Sequence, residues 1–358
     1  MNLNKFYNKK KILITGHTGF KGSWLVHWLS RYNVKILGIG LDPYNKLCLF
    51  KYINKKKLID KRLDIVNYKK LEQCILKFKP DIIYHLAAQA LVKKSVSNPL
   101  ETFKTNIIGT ANVLSCINKL NKKTTSVIIT SDKCYENLKL IRGYNEKDRL
   151  GGHDPYSASK ASAEIVFKSF FDTILKKNKN VKIASARAGN VIGGGDWSSD
   201  RLIPDCVKAW SSGKKVYIRN PNATRPWQHV LEPLSGYIIL SYHLHKNKNI
   251  NGDSFNFGPR FNEVATVKKV LQISKKFWDS AKFHIYKENF FKEDALLRLD
   301  SSKAKKILKW KKILSIERTL ELTMSWYDKF YKNNDDVKDL LKDDIDYYLK
   351  LTKRTFNE

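Results

Sequence analysis

The chain has 358 residues, 42% of them hydrophobic, which is enough for one large domain or two lobes with separate cores. No run of about 18 apolar residues occurs, and the basic N-terminus MNLNKFYNKK lacks both a signal-peptide apolar region and a small-residue cleavage site, so no membrane span and a cytoplasmic location are expected. The formal charge of +33 raises nucleic-acid binding, but the lysines are scattered in twos and threes over amphipathic segments with no nucleic-acid module, so a solvated basic surface that attracts small anions is expected, and no nucleic acid.

Residues 11–15 (KILIT) form a short apolar run that ends in glycine turns, the mark of a buried strand. In 21–32, Trp24, Leu25, Trp28 and Leu29 share one helical stripe. Residues 34–41 read as a second strand that runs out at Asp42-Pro43, and 60–65 as a third, followed by a helix to about Phe78. A fourth strand covers 81–86, one long helix runs from about Pro99 to Leu120, and a fifth strand covers 126–130. Residues 155–176 read as another long helix and 180–187 as a sixth strand. Strands alternating with helices predict an α/β protein with a doubly wound parallel sheet of Rossmann type. After Arg187 the rhythm breaks into shorter, Gly-, Pro- and Trp-rich segments. The expected division is a dinucleotide-binding domain over 1–187, with returning segments from about 227–258, and a smaller substrate lobe with C-terminal helices over 188–358. The charged, amphipathic tail from about Asn333 reads as a peripheral helix.

Five cysteines (Cys48, Cys74, Cys116, Cys134 and Cys206) stand apart, without the C-x-x-C spacing of zinc or redox sites. Reduced, mostly buried thiols and no metal site are expected.

Gly16-His-Thr-Gly19-Phe-Lys-Gly22 lies between the first strand and the first helix. Glycine serves there where the chain turns sharply, where backbone approaches a pyrophosphate and where helix packs on strand. The free N–H groups of the helix start suit phosphate. Gly16, Thr18, Gly19, Phe20, Lys21 and Gly22 are therefore candidate cofactor contacts. Asp42, at the end of the second strand, is placed to accept from a ribose 2′-OH and to repel a 2′-phosphate, which favours NAD over NADP.

This glycine spacing resembles the extended short-chain dehydrogenase/reductase family, and the resemblance runs along most of the chain. Asp64-Ile65 is similar to that family's adenine-contacting pair. Leu86-Ala87-Ala88-Gln89 is similar to its loop along the cofactor, and Asn106 falls in the helix that follows.

Tyr156-Ser-Ala-Ser-Lys160 puts a phenol and an ammonium on one helical face. The lysine is expected to lower the phenol's pKa, so that Tyr156 takes a hydroxyl proton while hydride leaves the same carbon. With Ser131 upstream, the pair resembles the family's Ser/Thr–Tyr–Lys triad. The next residue is Asp132, where the family's epimerases usually carry a small residue and its sugar-nucleotide dehydratases an acid. A carboxylic acid there can protonate a departing C6 hydroxyl. Lys133 follows, where the more widespread dehydratases have a glutamate base; it is a catalytic candidate that either takes the C5 proton, which requires a neutral amine, or positions groups while a water or another side chain is the base.

The stretches Gly16 to Leu25, Ser131-Asp-Lys-Cys-Tyr135, Gly151-Gly-His-Asp-Pro-Tyr-Ser157, Asn190 to Trp197 and Arg225-Pro-Trp-Gln-His229 together resemble the CDP-glucose 4,6-dehydratases within that family. The resemblance implies NAD-dependent conversion of CDP-glucose to CDP-4-dehydro-6-deoxy-glucose, in deoxysugar synthesis for surface polysaccharide, by a homo-oligomer (dimer or tetramer). It also implies contacts from Asn190 and Arg201 to the diphosphate and nucleotide, with Arg225 and Arg298 as further guanidinium candidates. Trp197 and Trp227 are expected to pack in the lobe core. A 4-epimerase, a dehydratase for a GDP-, UDP- or dTDP-sugar, and a non-catalytic nucleotide- or nucleic-acid-binding protein on the same fold remain as alternatives.

Overall fold

The structure is a computed structural model and describes residues 1–43, 45–218, 220–246, 248–259, 263–285, 297–353 and 355–356. Seven strands form its main sheet: β1 Lys10–Thr15, β2 Val34–Gly40, β3 Leu58–Arg62, β4 Ile82–His85, β5 Thr124–Ile129, β6 Val181–Ala188 and β7 Ser254–Phe257. Their order is β7-β6-β5-β4-β1-β2-β3, and every pairing is parallel. Helices cover both faces, as the near-continuous apolar runs of β1, β4 and β5 require. Ile12 and Ile14 of β1 face one core, while Leu13 between them joins a second core with Leu37, Ile75, Val113 and Phe167. The expected Rossmann-type architecture is the observed one.

The chain reverses direction across the sheet between β1 and β4. A crevice therefore opens beyond the carboxyl ends of these two strands, where ligands bind in such sheets. The remaining strands are short pairs: Val191–Ile192 with Gln228–His229, Thr224–Arg225 with Ala265–Thr266, and Val216–Ile218 with Phe283–Ile285.

Helix α1 (Phe20–Leu29) buries the four residues of the predicted stripe, and Val26 and His27 with them. The second covered side has a cause in the tail. The C-terminal helix α2 (Val337–Leu351) is the amphipathic helix expected after Asn333, but it is less peripheral than its charge indicates. It buries Val337, Leu340, Leu341, Ile345, Tyr348 and Leu349, and the Tyr348 ring meets Trp28 of α1 edge-on at 6.0 Å. A buried carboxylate fastens it. Glu232 accepts from Tyr348 Oη at 2.8 Å and from the backbone N–H groups of Ile313 and Leu314 at 2.9 and 2.7 Å. Burial pushes Glu232 up to about 7 and pushes Asp344, on α2 itself, up to about 8.

The helix expected from Pro99 to Leu120 is interrupted. Pro99–Phe103 and Gly109–Asn118 flank a π-helical turn at Lys104–Ile108, a device common at functional sites. Cys116, Cys134 and Cys206 are buried, Cys48 and Cys74 half-buried, and all five are free thiols.

Candidate active site

Backbone geometry builds the glycine loop. Gly16 follows β1 with φ +74°, and a Cβ on it would lie 2.7 Å from Ala87 N, so only glycine fits beside the loop after β4. A Cβ on Gly22 would lie 2.1 Å from Gly16 O, which explains the third glycine of the motif. Gly19 begins α1 without a side-chain cap, leaving first-turn N–H groups for an anion. Thr18 donates to Leu41 O at 2.9 Å, and Phe20 packs toward Gly193. Lys21 is pushed down to about 8 by burial and by Arg201, against the pull of Asp132.

Gln89 is buried, and Leu86, Ala87 and Ala88 half-buried, along the other wall of the crevice. Asn106 holds this wall. It accepts from Gln89 N at 2.8 Å and donates to Gln89 O at 3.1 Å and to Ser159 Oγ at 2.8 Å. The π turn thus serves to aim Asn106 at the loop. Ile65 is buried in the space left by Gly109, while Asp64 stays exposed and accepts from Val66 N at 2.9 Å. Asp42 lies two residues past β2, its side chain largely exposed, 3.4 Å from Arg62 Nε.

A glycine cradle that any Cβ would fill, an uncapped helix start, a lysine, and an exposed carboxylate past β2 together fit a dinucleotide with a free 2′-hydroxyl.

The catalytic candidates converge beyond β5. Ser131 starts a single turn, Asp132–Cys134, and its Oγ donates to Asp132 Oδ1 at 2.8 Å while accepting from Lys133 N at 3.2 Å. Asp132 is buried, and burial pushes its carboxyl above the usual range despite Lys133, Ser131 and Lys21. Helix α3 (Pro155–Thr173) starts on Asp154, whose carboxylate accepts from Tyr156 N and Ser157 N. Tyr156 therefore stands in the first turn, and Lys160 one turn on, with its Nζ 6.0 Å from the Tyr156 ring centroid. The expected lowering of the phenol is not found. Burial pushes Tyr156 up to about 12, with Asp132 adding to it and a hydrogen bond with Ser131 opposing it. Lys160 is itself pushed down to about 8 by burial and by Lys21. Desolvation outweighs the local ion pairing that the sequence pattern implies.

The substrate candidates divide. Asn190 follows Gly189, whose Cα environment abuts Asp132 Oδ2. Arg201 pairs with Asp196 at 3.0 Å, and its charge reaches both Lys21 and Tyr156. Arg225 donates to Thr224 O and precedes Pro226, which lies against Gly189 beside Asp132, while Arg298 O accepts from Tyr144 N between Leu297 and Leu299, which pack on Cys134 and Tyr135. Trp197 and Trp227 are buried in the core.

Three groups escape the motifs. His17, in a variable position of the glycine loop, is fully buried, bonds Asp60 Oδ1 through Nε2 at 2.8 Å, and fills the space left by Gly38. His85 joins Thr15 at 2.7 Å to Thr110 at 3.1 Å beneath the crevice. The buried Glu164–Arg187 pair lies behind Tyr156 and Lys160; its only sequence signal is that Glu164 extends the Tyr156–Lys160 spacing by four.

The family model described as GDP-mannose 4,6 dehydratase matches residues 13–323 of the chain. The chain belongs to that family. It is thereby an extended short-chain dehydrogenase/reductase, as its motifs indicate. The chain is 40% identical to the CDP-glucose 4,6-dehydratase of Salmonella typhimurium over 355 residues, covering 98% of this chain and 99% of that one. It is 26% identical to the dTDP-glucose 4,6-dehydratase of Haemophilus influenzae, over 88% and 97% of the two chains. Among solved structures, the dTDP-glucose 4,6-dehydratase of Bacillus anthracis in complex with NAD superposes with a TM-score of 0.75 at 25% identity, over 93% of this chain and 99% of that one. The UDP-glucose 4-epimerase of Thermotoga maritima with UDP-glucose shares the fold with a TM-score of 0.79 at 23% identity, over 90% and 100%. Among the described residues, no helix is long and apolar enough to cross a membrane.

Proposed function

We propose that this protein is a CDP-glucose 4,6-dehydratase, converting CDP-glucose to CDP-4-dehydro-6-deoxy-glucose and water with NAD as a resident hydride carrier. The observation that carries the reading is Asp132: a buried acid with a raised pKa, bonded to Ser131, in a chain 40% identical end to end to a CDP-glucose 4,6-dehydratase.

Gly16, Thr18, Gly19, Phe20, Lys21 and Gly22 would hold the NAD pyrophosphate, Asp42 its adenosine ribose, Asp64 and Ile65 its adenine, and Leu86 to Gln89 with Asn106 the wall along it. The chemistry NAD supplies when bound is reversible hydride acceptance. The chain's own side chains handle protons. Tyr156 takes the C4 hydroxyl proton, with Ser131 bonded to the same oxygen and Lys160 supplying positive charge. The resulting ketone acidifies C5–H. The proposed C5 base is Lys133 in its neutral form, or a water or another side chain that Lys133 positions, and Asp132, whose carboxyl burial pushes above its usual range, is the proposed proton donor to the leaving C6 hydroxyl. Reprotonation at C5, together with the hydride that NAD would return at C6, closes the sequence with no net oxidation. Asn190 and Arg201 are the proposed diphosphate and nucleotide contacts, and Arg225 and Arg298 the outer ones.

A second copy of the chain is the proposed partner. Val96, Leu100, Ile108 and Ile165 are exposed apolar side chains on adjoining helices, a surface suited to self-association. The proposed location is the cytoplasm, where nucleotide sugars are made, and the basic surface is read as having no nucleic-acid target.

The test is a panel of CDP-, UDP-, dTDP- and GDP-hexoses, followed by mass spectrometry. The reading predicts loss of one water from CDP-glucose in preference to the others. Unchanged mass with a C4 epimer would refute it.

A further inference from the structure

Four residues beyond Lys160, on the same face of α3, Glu164 is 1% exposed. One of its oxygens accepts from Thr130 Oγ1, and the other from Arg187 Nη2 at 2.7 Å and Ser185 Oγ at 2.9 Å. Arg187 is 4% exposed. It donates through Nη1 to Tyr135 Oη at 2.7 Å and lies over that ring, 5.0 Å from its centroid. Tyr135 in turn donates to Asn256 Oδ1 at 2.8 Å.

The chain positions give these bonds meaning. Thr130 immediately precedes Ser131, and Tyr135 closes the turn that carries Asp132 and Lys133. One carboxylate therefore ties the helix bearing Tyr156 and Lys160 to the strand end bearing Ser131. Its guanidinium partner ties the same point to the far side of the turn bearing Asp132. Stability alone does not account for the pair, since apolar side chains of similar volume commonly hold a core as well as a buried ion pair does. Directional bonds to Thr130 and Tyr135 are what apolar packing would lack.

Resting on the reading of Ser131, Asp132, Tyr156 and Lys160 as the reacting set, we propose that Glu164 and Arg187 are a positioning pair that holds Tyr156 and Lys160 in register with Ser131 and Asp132. With both side chains almost fully buried, the pair acts through its neighbours. An electrostatic effect accompanies the mechanical one. Lys160 faces Lys21, His85, Cys134 and Tyr156 as well as Glu164, and the Glu164 charge favours its protonated form against Lys21.

Four variants test the proposal on the full chain: Thr130→Val, which cuts only the tie to β5; Thr130→Ser, which restores it; Glu164→Gln; and Glu164→Gln with Arg187→Met, which removes both charges together. Each is assayed with whichever nucleotide hexose the wild-type protein dehydrates. An error in the CDP-glucose reading then shows in the wild type and leaves the comparison among variants intact. The readouts are kcat, KM and the pH profile of reduced-nicotinamide formation on mixing. Thr130→Val is expected to lower kcat by roughly ten- to a hundredfold with KM within about twofold, and Thr130→Ser to recover most of the loss. Glu164→Gln is expected to move the alkaline limb of the profile to lower pH, because Lys160 loses its neighbouring negative charge. Should Glu164→Gln fail to fold with Arg187 left unpaired, Thr130→Val and the double variant decide. Folded Thr130→Val and double variants with wild-type kcat and pH profile would overturn the proposal, as would losses confined to thermal stability or KM.

Discussion

Ser131 Oγ gives its hydrogen to Asp132 Oδ1 at 2.8 Å, so the residue proposed to serve the hydride step is bonded directly to the one proposed to serve elimination. Asp132→Asn keeps the size and an acceptor for Ser131 but has no acidic proton. The variant is expected to form reduced nicotinamide and to exchange the C5 hydrogen with solvent, while water loss falls by roughly 10²–10⁴. Stopped-flow absorbance and deuterium uptake separate the two stages. Dehydration at the wild-type rate would place the acid elsewhere, and no reduced nicotinamide at all would make Asp132 a structural member of the site.

Tyr156→Phe removes the phenol that interacts with Ser131 one helical turn before Lys160. Because burial pushes Tyr156 up to about 12, its action as the proton acceptor for the C4 hydroxyl is expected to strengthen as pH rises. Reduced-nicotinamide formation should fall by about 10² or more, with substrate affinity near that of wild type by calorimetry. Near-normal formation in the variant would remove Tyr156 from the mechanism.

Asp42 lies beside Arg62, a cation that is also bound to Asp60 Oδ2 at 2.9 Å. Replacing Asp42 by Ala removes the carboxylate that repels a 2′-phosphate and leaves Arg62 in place to attract one. After cofactor removal, activity restored by NADP relative to NAD should rise by about tenfold. Better rescue of the wild type by NADP than by NAD would contradict the role of Asp42.

Glu232 and Asp344 give the C-terminal helix a pH dependence. Both acids keep their protons in the folded chain at pH values where the unfolded chain, with ordinary values of 4.5 and 3.8, has lost them. The stability this represents is fully present below the unfolded values and is lost as pH rises through about 7 and about 8. The melting temperature of the wild type should fall from about pH 4 to about pH 8 by more than that of Glu232→Gln or Asp344→Asn. Equal falls in all three would show that these carboxyls are ionised in the folded state.

The sheet was legible because β1, β4 and β5 are buried on both faces and read as short apolar runs between turn residues. The glycine loop was legible because Gly16 and Gly22 have steric reasons that leave a fixed spacing. The π turn at Lys104–Ile108 was not, since it depends on Asn106 reaching Gln89, a contact between separate elements. Nor was the second buried side of α1, which exists only because a helix more than 300 residues later packs on it. The raised Tyr156 was missed for a related reason: spacing reports Lys160 as a neighbour, but burial is set by the whole fold and here is the larger effect.

The central claim is that hydrogen taken from C4 returns to C6 of the same sugar. The direct measurement uses CDP-glucose deuterated at C4, with the product's label located by NMR and mass spectrometry. The account predicts a 4-keto product one water lighter, with deuterium in its C6 methyl group. Deuterium retained at C4 of an epimer, or lost altogether to solvent while water is eliminated, would contradict it.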